Sequence, residues 1–153
     1  MNRPRGGPHR QADLRRAIST AYYAVFHTVL TAMADRVVGR GRRATPHYAL
    51  AYRGLDHRTL SGFCTLAARA SLPSKYSGLS PDGGFNNDVR RFARSVFELQ
   101  QERHRADYDP AWRIKPSEAT ALIRLARDSI GLWTGAPGDQ REAFLMLLLF
   151  PPR

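Results

Sequence analysis

Two short stretches of this chain hold side chains suited to moving protons and to stabilising negative charge. The first, RRAISTAYYAVFH, runs from Arg15 to His27. On an α-helix, at about 100° per residue, Arg16, Tyr23 and His27 fall within about 40° of one another. A guanidinium, a phenol and an imidazole would then share one face. The second stretch, QERHRADYDP, runs from Gln101 to Pro110, and in it Arg103 continues the apolar stripe of Phe92, Val96 and Leu99. A cation on a core-facing stripe needs a carboxylate or other acceptors, because an unpaired buried charge is costly. Asp107, one turn on at i+4, fits that need. Arg103 is thus a candidate for holding an anion, and the imidazoles of His27 and His104 are candidates for proton transfer. Tyr108, with an ordinary pKa of about 10, is a poor base unless its surroundings perturb it. The plainer account of this stretch is an ion pair closing the helix, with Tyr108 covering the core edge.

Other chemistries find no foothold. The chain has no GxxxxGK[ST] phosphate loop, no GxGxxG turn, no HExxH and no CxxC. His47 and His57 stand ten apart without a third ligand nearby, so no metal is expected. Cys64 is the one cysteine, which excludes an intramolecular disulfide and fits a buried, inert thiol. No cofactor is expected either.

The elements that must position these residues read as helices throughout. Length fits one domain at 153 residues, and 42% hydrophobic with 24% charged residues excludes wholesale disorder. Residues 1–10 (MNRPRGGPHR) read as a flexible basic arm, and 11–150 as a single helical domain. From Gln11 to about Val38, two adjacent apolar stripes (Leu14, Ile18, Tyr22, Val25, Val29 and Tyr23, Phe26, Leu30, Met33, Val37) predict a helix buried over a wide arc. A basic loop at 39–46 carries Arg40, Arg42 and Arg43. A second helical region runs from about Pro46 to Ser71, with breaks expected near Gly54 and Gly62. Residues 72–86 read as a long loop, and Asn86 or Asn87 caps a third helix reaching about Asp107. Pro116 marks a break, with Ser117 as N-cap of a fourth helix. The last stretch, REAFLMLLLF, is apolar nearly all round and needs cover from the bundle or from a second subunit.

Charge points to a polyanion. There are 24 Lys and Arg against 13 Asp and Glu, a net charge of +11, and every basic residue but Lys75 and Lys115 is arginine. Arginine grips phosphate bidentately and stacks on bases. The longest wholly apolar run, Phe144 to Pro152, is too short to span a bilayer, and the basic N-terminus has no hydrophobic stretch after it. No membrane association and a cytoplasmic location are expected.

Taken together, RRAISTAYYAVFH, the LDH at Leu55 to His57, and LQQERHRADYDP resemble the HEPN-domain superfamily. The likeness is to its small stand-alone bacterial and archaeal members, which carry an AYYAxFH first helix and an RxxADY third helix, and it covers roughly residues 12–133. It implies an all-α, four- to five-helix up-and-down bundle that forms homodimers around its long helices. It also implies a role in RNA processing, defence or toxin–antitoxin pairs, often beside a nucleotidyltransferase-type antitoxin protein. Active HEPN ribonucleases carry R-x4-6-H at a helix end in a dimer cleft. Here Tyr108 stands five residues after Arg103, where that histidine would be, while Arg42 and His47 match the spacing only in the basic loop.

Metal-independent RNA cleavage requires the 2′-hydroxyl deprotonated, the leaving 5′-oxygen protonated and the phosphorane charge stabilised. On this reading Arg103, Asp107, Tyr108, His27 and His104 form the catalytic set, and Arg16, Arg40, Arg42, Arg43 and Tyr23 contact RNA. The alternatives are a degenerate relative that binds RNA without cutting, and a non-catalytic interaction module docking a partner through the 72–86 loop and the last helix. In the module, Tyr108 would be a site of nucleotidylation. A third alternative is a nucleotide-ligand sensor with a pocket of Tyr22, Tyr23, Tyr108 and Arg103.

Overall fold

The structure, a computed structural model, describes residues 8–153 and side chains from Arg10 onward, so most of the expected basic arm lies outside the described residues. Its last three positions, residues 8–10, are already helical. Among the described residues there are six α-helices and no strand: α1 (Pro8–Val37), α2 (Pro46–Tyr52), α3 (His57–Ala67), α4 (Asn87–Tyr108), α5 (Pro116–Gly135) and α6 (Gly138–Leu149). The all-α expectation therefore holds. The count exceeds four or five because Gly54 separates α2 from α3. Gly62 sits inside α3 without breaking it.

Helix starts follow from capping chemistry. The Thr45 hydroxyl accepts from the Tyr48 N–H, the Asp56 carboxylate from the Thr59 N–H at 2.7 Å, and Asn86 Oδ1 from the Val89 N–H at 2.9 Å. At α5 the cap is Lys115 rather than Ser117. Pro116 is the first helical residue, where its fixed φ suits the turn and its missing N–H costs nothing. Glu118 reaches back to accept the Lys115 N–H at 2.7 Å.

α1, α4 and α5 pack mutually. Gln11 near the start of α1 exchanges hydrogen bonds with the backbone of Ile114 just before α5, and Arg36 at the end of α1 pairs with Glu142 just after it. These two helices therefore run the same way. Arg15 reaches the carbonyls of Ala106 and Asp109 at the end of α4, which runs opposite. Ile18, Tyr22, Val25 and Val29 of α1 are fully buried, as are Val89, Phe92 and Leu99 of α4.

α1 is also long and apolar enough to cross a membrane by length and composition, with a window of mean hydropathy 1.2, but half of that window is buried within the fold. Its apolar length is accounted for by packing.

The last helix finds its cover within the chain. Phe144, Leu145, Leu147 and Leu148 are buried. The Phe144 ring meets Phe63 at 4.9 Å, Trp133 at 5.3 Å and Phe92 at 5.9 Å. The 72–86 loop is likewise held down. Leu72 N–H donates to Gly83 at 2.9 Å, and Tyr76 and Phe85 are buried. Gly84 passes so close to this segment that a Cβ there would meet the Ala70 carbonyl at 2.9 Å.

Candidate functional site

Arg103 is the centre of the cluster. Its position on the core-facing side of α4 carries the guanidinium toward α1, leaving the side chain 12% exposed. Its Nη2 donates to the Tyr23 hydroxyl at 2.9 Å. Its Nε lies 2.8 Å from Asp107 Oδ2, an ion pair without hydrogen-bond alignment. The other Asp107 oxygen accepts from the Ser19 hydroxyl at 2.5 Å. Three phenol rings surround the guanidinium, Tyr23 at 5.4 Å, Tyr108 at 5.7 Å and Tyr22 at 6.0 Å. Its Nη1 edge has no protein acceptor among the described residues. A planar cation fixed on three sides and open on one is prepared to take an oxyanion.

Two imidazoles flank it. His27 stacks on Tyr23 at 6.0 Å between ring centres and shares a 2.7 Å hydrogen bond with the Tyr52 hydroxyl through Nδ1. His104, exposed on α4, lies against the Tyr108 ring at 4.8 Å. Each histidine thus packs on a different tyrosine ring that itself contacts Arg103.

A third imidazole went unassigned in the sequence. His57, at the start of α3, packs on Phe26 at 4.2 Å and on Tyr23 at 5.7 Å. Burial pushes its pKa below the usual histidine value, and the positive charges of Arg103 and His27 add to this against the opposing pull of Asp56. Burial raises the Tyr22 hydroxyl well above the usual tyrosine range, more than Arg103 lowers it. Tyr22 thus keeps its proton, and its hydroxyl shares a 2.7 Å hydrogen bond with His57 Nδ1. The available signal for His57 was the LDH stretch, in which Asp56 caps α3 and fixes the residue after it. Tyr52 had no signal, because it meets His27 of α1 from the end of α2, a pairing between two helices that no local spacing announces.

The structure thus brings together Arg103, Asp107, Tyr108, Tyr23, His27 and His104, with Tyr22, Ser19, Tyr52 and His57 added. Arg16 stands apart. It is exposed on the rim of a second feature, a groove of about 590 Å³ between α1 and α5 that Ile123, Arg127 and Ile130 also line. Arg16 shares the face of Tyr23 and His27 but stands seven residues, about 10.5 Å, before Tyr23 along the axis of α1, so a common direction does not bring it to the cluster.

The basic loop is only partly available. Arg43 makes a two-point contact with Asp35, Nε to Oδ1 at 2.9 Å and Nη2 to Oδ2 at 2.5 Å, and the Tyr48 hydroxyl joins Oδ1 at 2.9 Å. These hydrogen bonds, that of Arg43 above all, hold the Asp35 carboxyl below its ordinary pKa despite the desolvation that opposes them. Arg40 stands 3.7 Å from the same carboxylate but is 83% exposed. Arg42 is exposed and forms no ion pair among the described residues. Arg40, Arg43 and His27 together line a groove of about 810 Å³ between α1, α5 and α6.

No group of three His, Cys, Asp or Glu able to hold a metal occurs among the described residues. Cys64 is fully buried, and burial pushes its thiol far above the usual cysteine range. No family model, curated protein or solved structure matches this chain.

Proposed function

We propose that this chain is an RNA-acting protein of the HEPN type, a metal-independent endoribonuclease that works as a homodimer. One observation carries the reading: the Arg103 guanidinium is held by Tyr23 and Asp107 with no protein acceptor at Nη1 among the described residues, and His27 and His104 each pack on a tyrosine ring that contacts it. The net charge of +11 supplies the long-range attraction that a polyanionic substrate requires.

In the reaction, Arg103 holds the non-bridging phosphate oxygens and stabilises the charge that builds on them. One imidazole of the pair His27 and His104 accepts the 2′-hydroxyl proton as the 2′-oxygen bonds to phosphorus. The other, protonated, gives its proton to the departing 5′-oxygen as the phosphorus–oxygen bond breaks. The products are a 2′,3′-cyclic phosphate and a 5′-hydroxyl, and no water or metal is consumed. Asp107 and Tyr23 position Arg103, while Tyr108 and Tyr23 offer faces for bases. Arg40 and Arg42, the least encumbered cations of the basic loop, serve the flanking phosphates. The family resemblance adds a cytoplasmic toxin or defence role, with a nucleotidyltransferase-type antitoxin as partner.

The test is incubation of the purified protein with total RNA in EDTA, beside an Arg103→Ala control. Cleavage that disappears in the control supports the reading, and cleavage retained by an Arg103→Ala/His27→Ala double variant ends it. A nucleotide-ligand sensor is the second reading, favoured by the three phenol rings within 6.0 Å of Arg103. Saturable nucleotide binding without any RNA cleavage would select it.

A further inference from the structure

Arg90, Arg94, Phe97, Gln101, His104 and Tyr108 follow one another along α4 at alternating steps of four and three residues. At about 100° per residue they lie within about 40° of a single line on the helix surface, and at about 1.5 Å rise per residue they extend over about 27 Å. The line lies away from the buried arc of Val89, Phe92, Val96 and Leu99. Its aromatic members are open to solvent, Phe97 at 41% and Tyr108 at 64% exposure.

The electrostatics of this face are one-signed. Of the ion pairs within α4, Arg91 with Asp88 and Arg105 with Glu102 sit on one flank of the line and cancel there, and Arg103 with Asp107 lies on the other, toward the core. The line itself holds no carboxylate. Arg94 makes no ion pair among the described residues, although Glu98 stands one turn away. Arg90 Nε is buried without a hydrogen-bond partner among those residues. Two cations without an ion pair among the described residues, Arg94 exposed and Arg90 half-buried, thus share this face with three aromatic rings. At its end the Tyr108 ring touches both His104, at 4.8 Å, and the Arg103 guanidinium, at 5.7 Å.

We infer that this face of α4 is a track for single-stranded RNA, leading the strand to Arg103. Rings that stand free in solvent gain by stacking on bases, and only unpaired bases have faces to offer. Arginines spaced between the rings meet the phosphates. The inference rests on the RNA reading of the site and extends it along Arg90, Arg94, Phe97 and Gln101, which the site does not contain.

The test measures binding of a fluorescent 2′-O-methyl oligouridylate, which cannot be cleaved, and turnover of the dinucleotide uridylyl-adenosine, which is too short to reach Phe97. Phe97→Leu weakens oligomer binding on the order of tenfold, because it keeps apolar bulk but loses the stacking face. Phe97→Tyr restores it. Arg94→Gln lowers the slope of log affinity against log salt by about 0.7, one phosphate contact. Both variants turn over the dinucleotide as the wild type does. Unchanged oligomer binding in Phe97→Leu, or equal affinity for a duplex of the same length, overturns the track while dinucleotide turnover leaves the site reading standing. Loss of oligomer binding in Phe97→Leu by a wild type that never cuts the dinucleotide supports the track and removes the catalytic reading. A wild type that neither binds the oligomer nor cuts the dinucleotide removes both.

Discussion

Arg103 carries one hydrogen bond, one ion pair and three aromatic contacts, and each limits what can replace it. Lysine offers a single ammonium in place of a planar fork, so it cannot reach Tyr23 and Asp107 and still present an open edge. Arg103→Lys and Arg103→Ala should therefore lose RNA cleavage alike, by about 10²–10³ in rate if Arg103 acts as a charge-stabilising donor. Single-turnover cleavage in EDTA checks this. His57 makes a separate prediction. Its pKa is depressed in the fold, so the unfolded chain binds more protons below the ordinary histidine value of 6.5. The stability held above that pH is lost as pH falls through it toward the folded pKa. His57→Gln, which keeps a hydrogen-bonding partner for Tyr22, should flatten this part of a melting-temperature profile against pH. The pairing of Arg103 with Asp107 was legible because i+4 spacing on an apolar stripe is a local signal. The pairings of His57 with Tyr22 and of Tyr52 with His27 were not, since each joins residues from different helices.

At the scale of elements, α4 is the member on which the site depends. Its start is fixed by Asn86, whose side chain caps the Val89 N–H while its own N–H donates to Gln140 Oε1 at 2.9 Å. Asn86→Ala should cost about 1 kcal/mol by chemical denaturation, a typical loss for an N-cap. Phe144 ties α6 to α3, α4 and α5 through its ring contacts, and Phe144→Ala should cost about 3–5 kcal/mol in the same measurement. The bounds of α4 were readable because asparagine at one end and Asp109-Pro110 at the other are strong local stops. The start of α5 was misplaced because serine is the commoner cap, whereas here proline takes the first helical position and moves the cap back to Lys115. The expectation that α6 needs outside cover left open what covers it. Four aromatic side chains from four different parts of the chain do so, and no periodicity within α6 announces them.

For the whole molecule, charge and assembly are the quantities to measure. RNA affinity should fall with salt by a log–log slope of about 0.7 for each phosphate held, and chelation should leave cleavage intact. Burial of Phe144, Leu145, Leu147 and Leu148 removes most of the apolar surface of α6 that would have favoured a second subunit, leaving Met146 and Phe150 exposed. The open α1–α5 groove, with Ile123 at 39% exposure, is another face available to a homodimer. Sedimentation velocity on the wild type and on Ile123→Glu distinguishes the cases. A dimer that dissociates on substitution places the contact there, whereas a monomer in both ends the homodimer reading. Overall charge and helical content were visible from composition and periodicity alone. The choice of paired faces was not, because it is made by side chains far apart in the chain.

Arg15, near the beginning of the chain, holds the carbonyls of Ala106, Asp109, Pro110 and Trp112 with one guanidinium. Those contacts bridge up to 97 residues of sequence. Arg103 meets Tyr23 across a further separation of 80. During synthesis, neither clasp nor cluster can form until about three-quarters of the chain has left the ribosome. A polypeptide that cuts RNA would thus be born harmless beside the RNA of the ribosome itself, its site incomplete until α4 and the segment that Arg15 clasps have emerged.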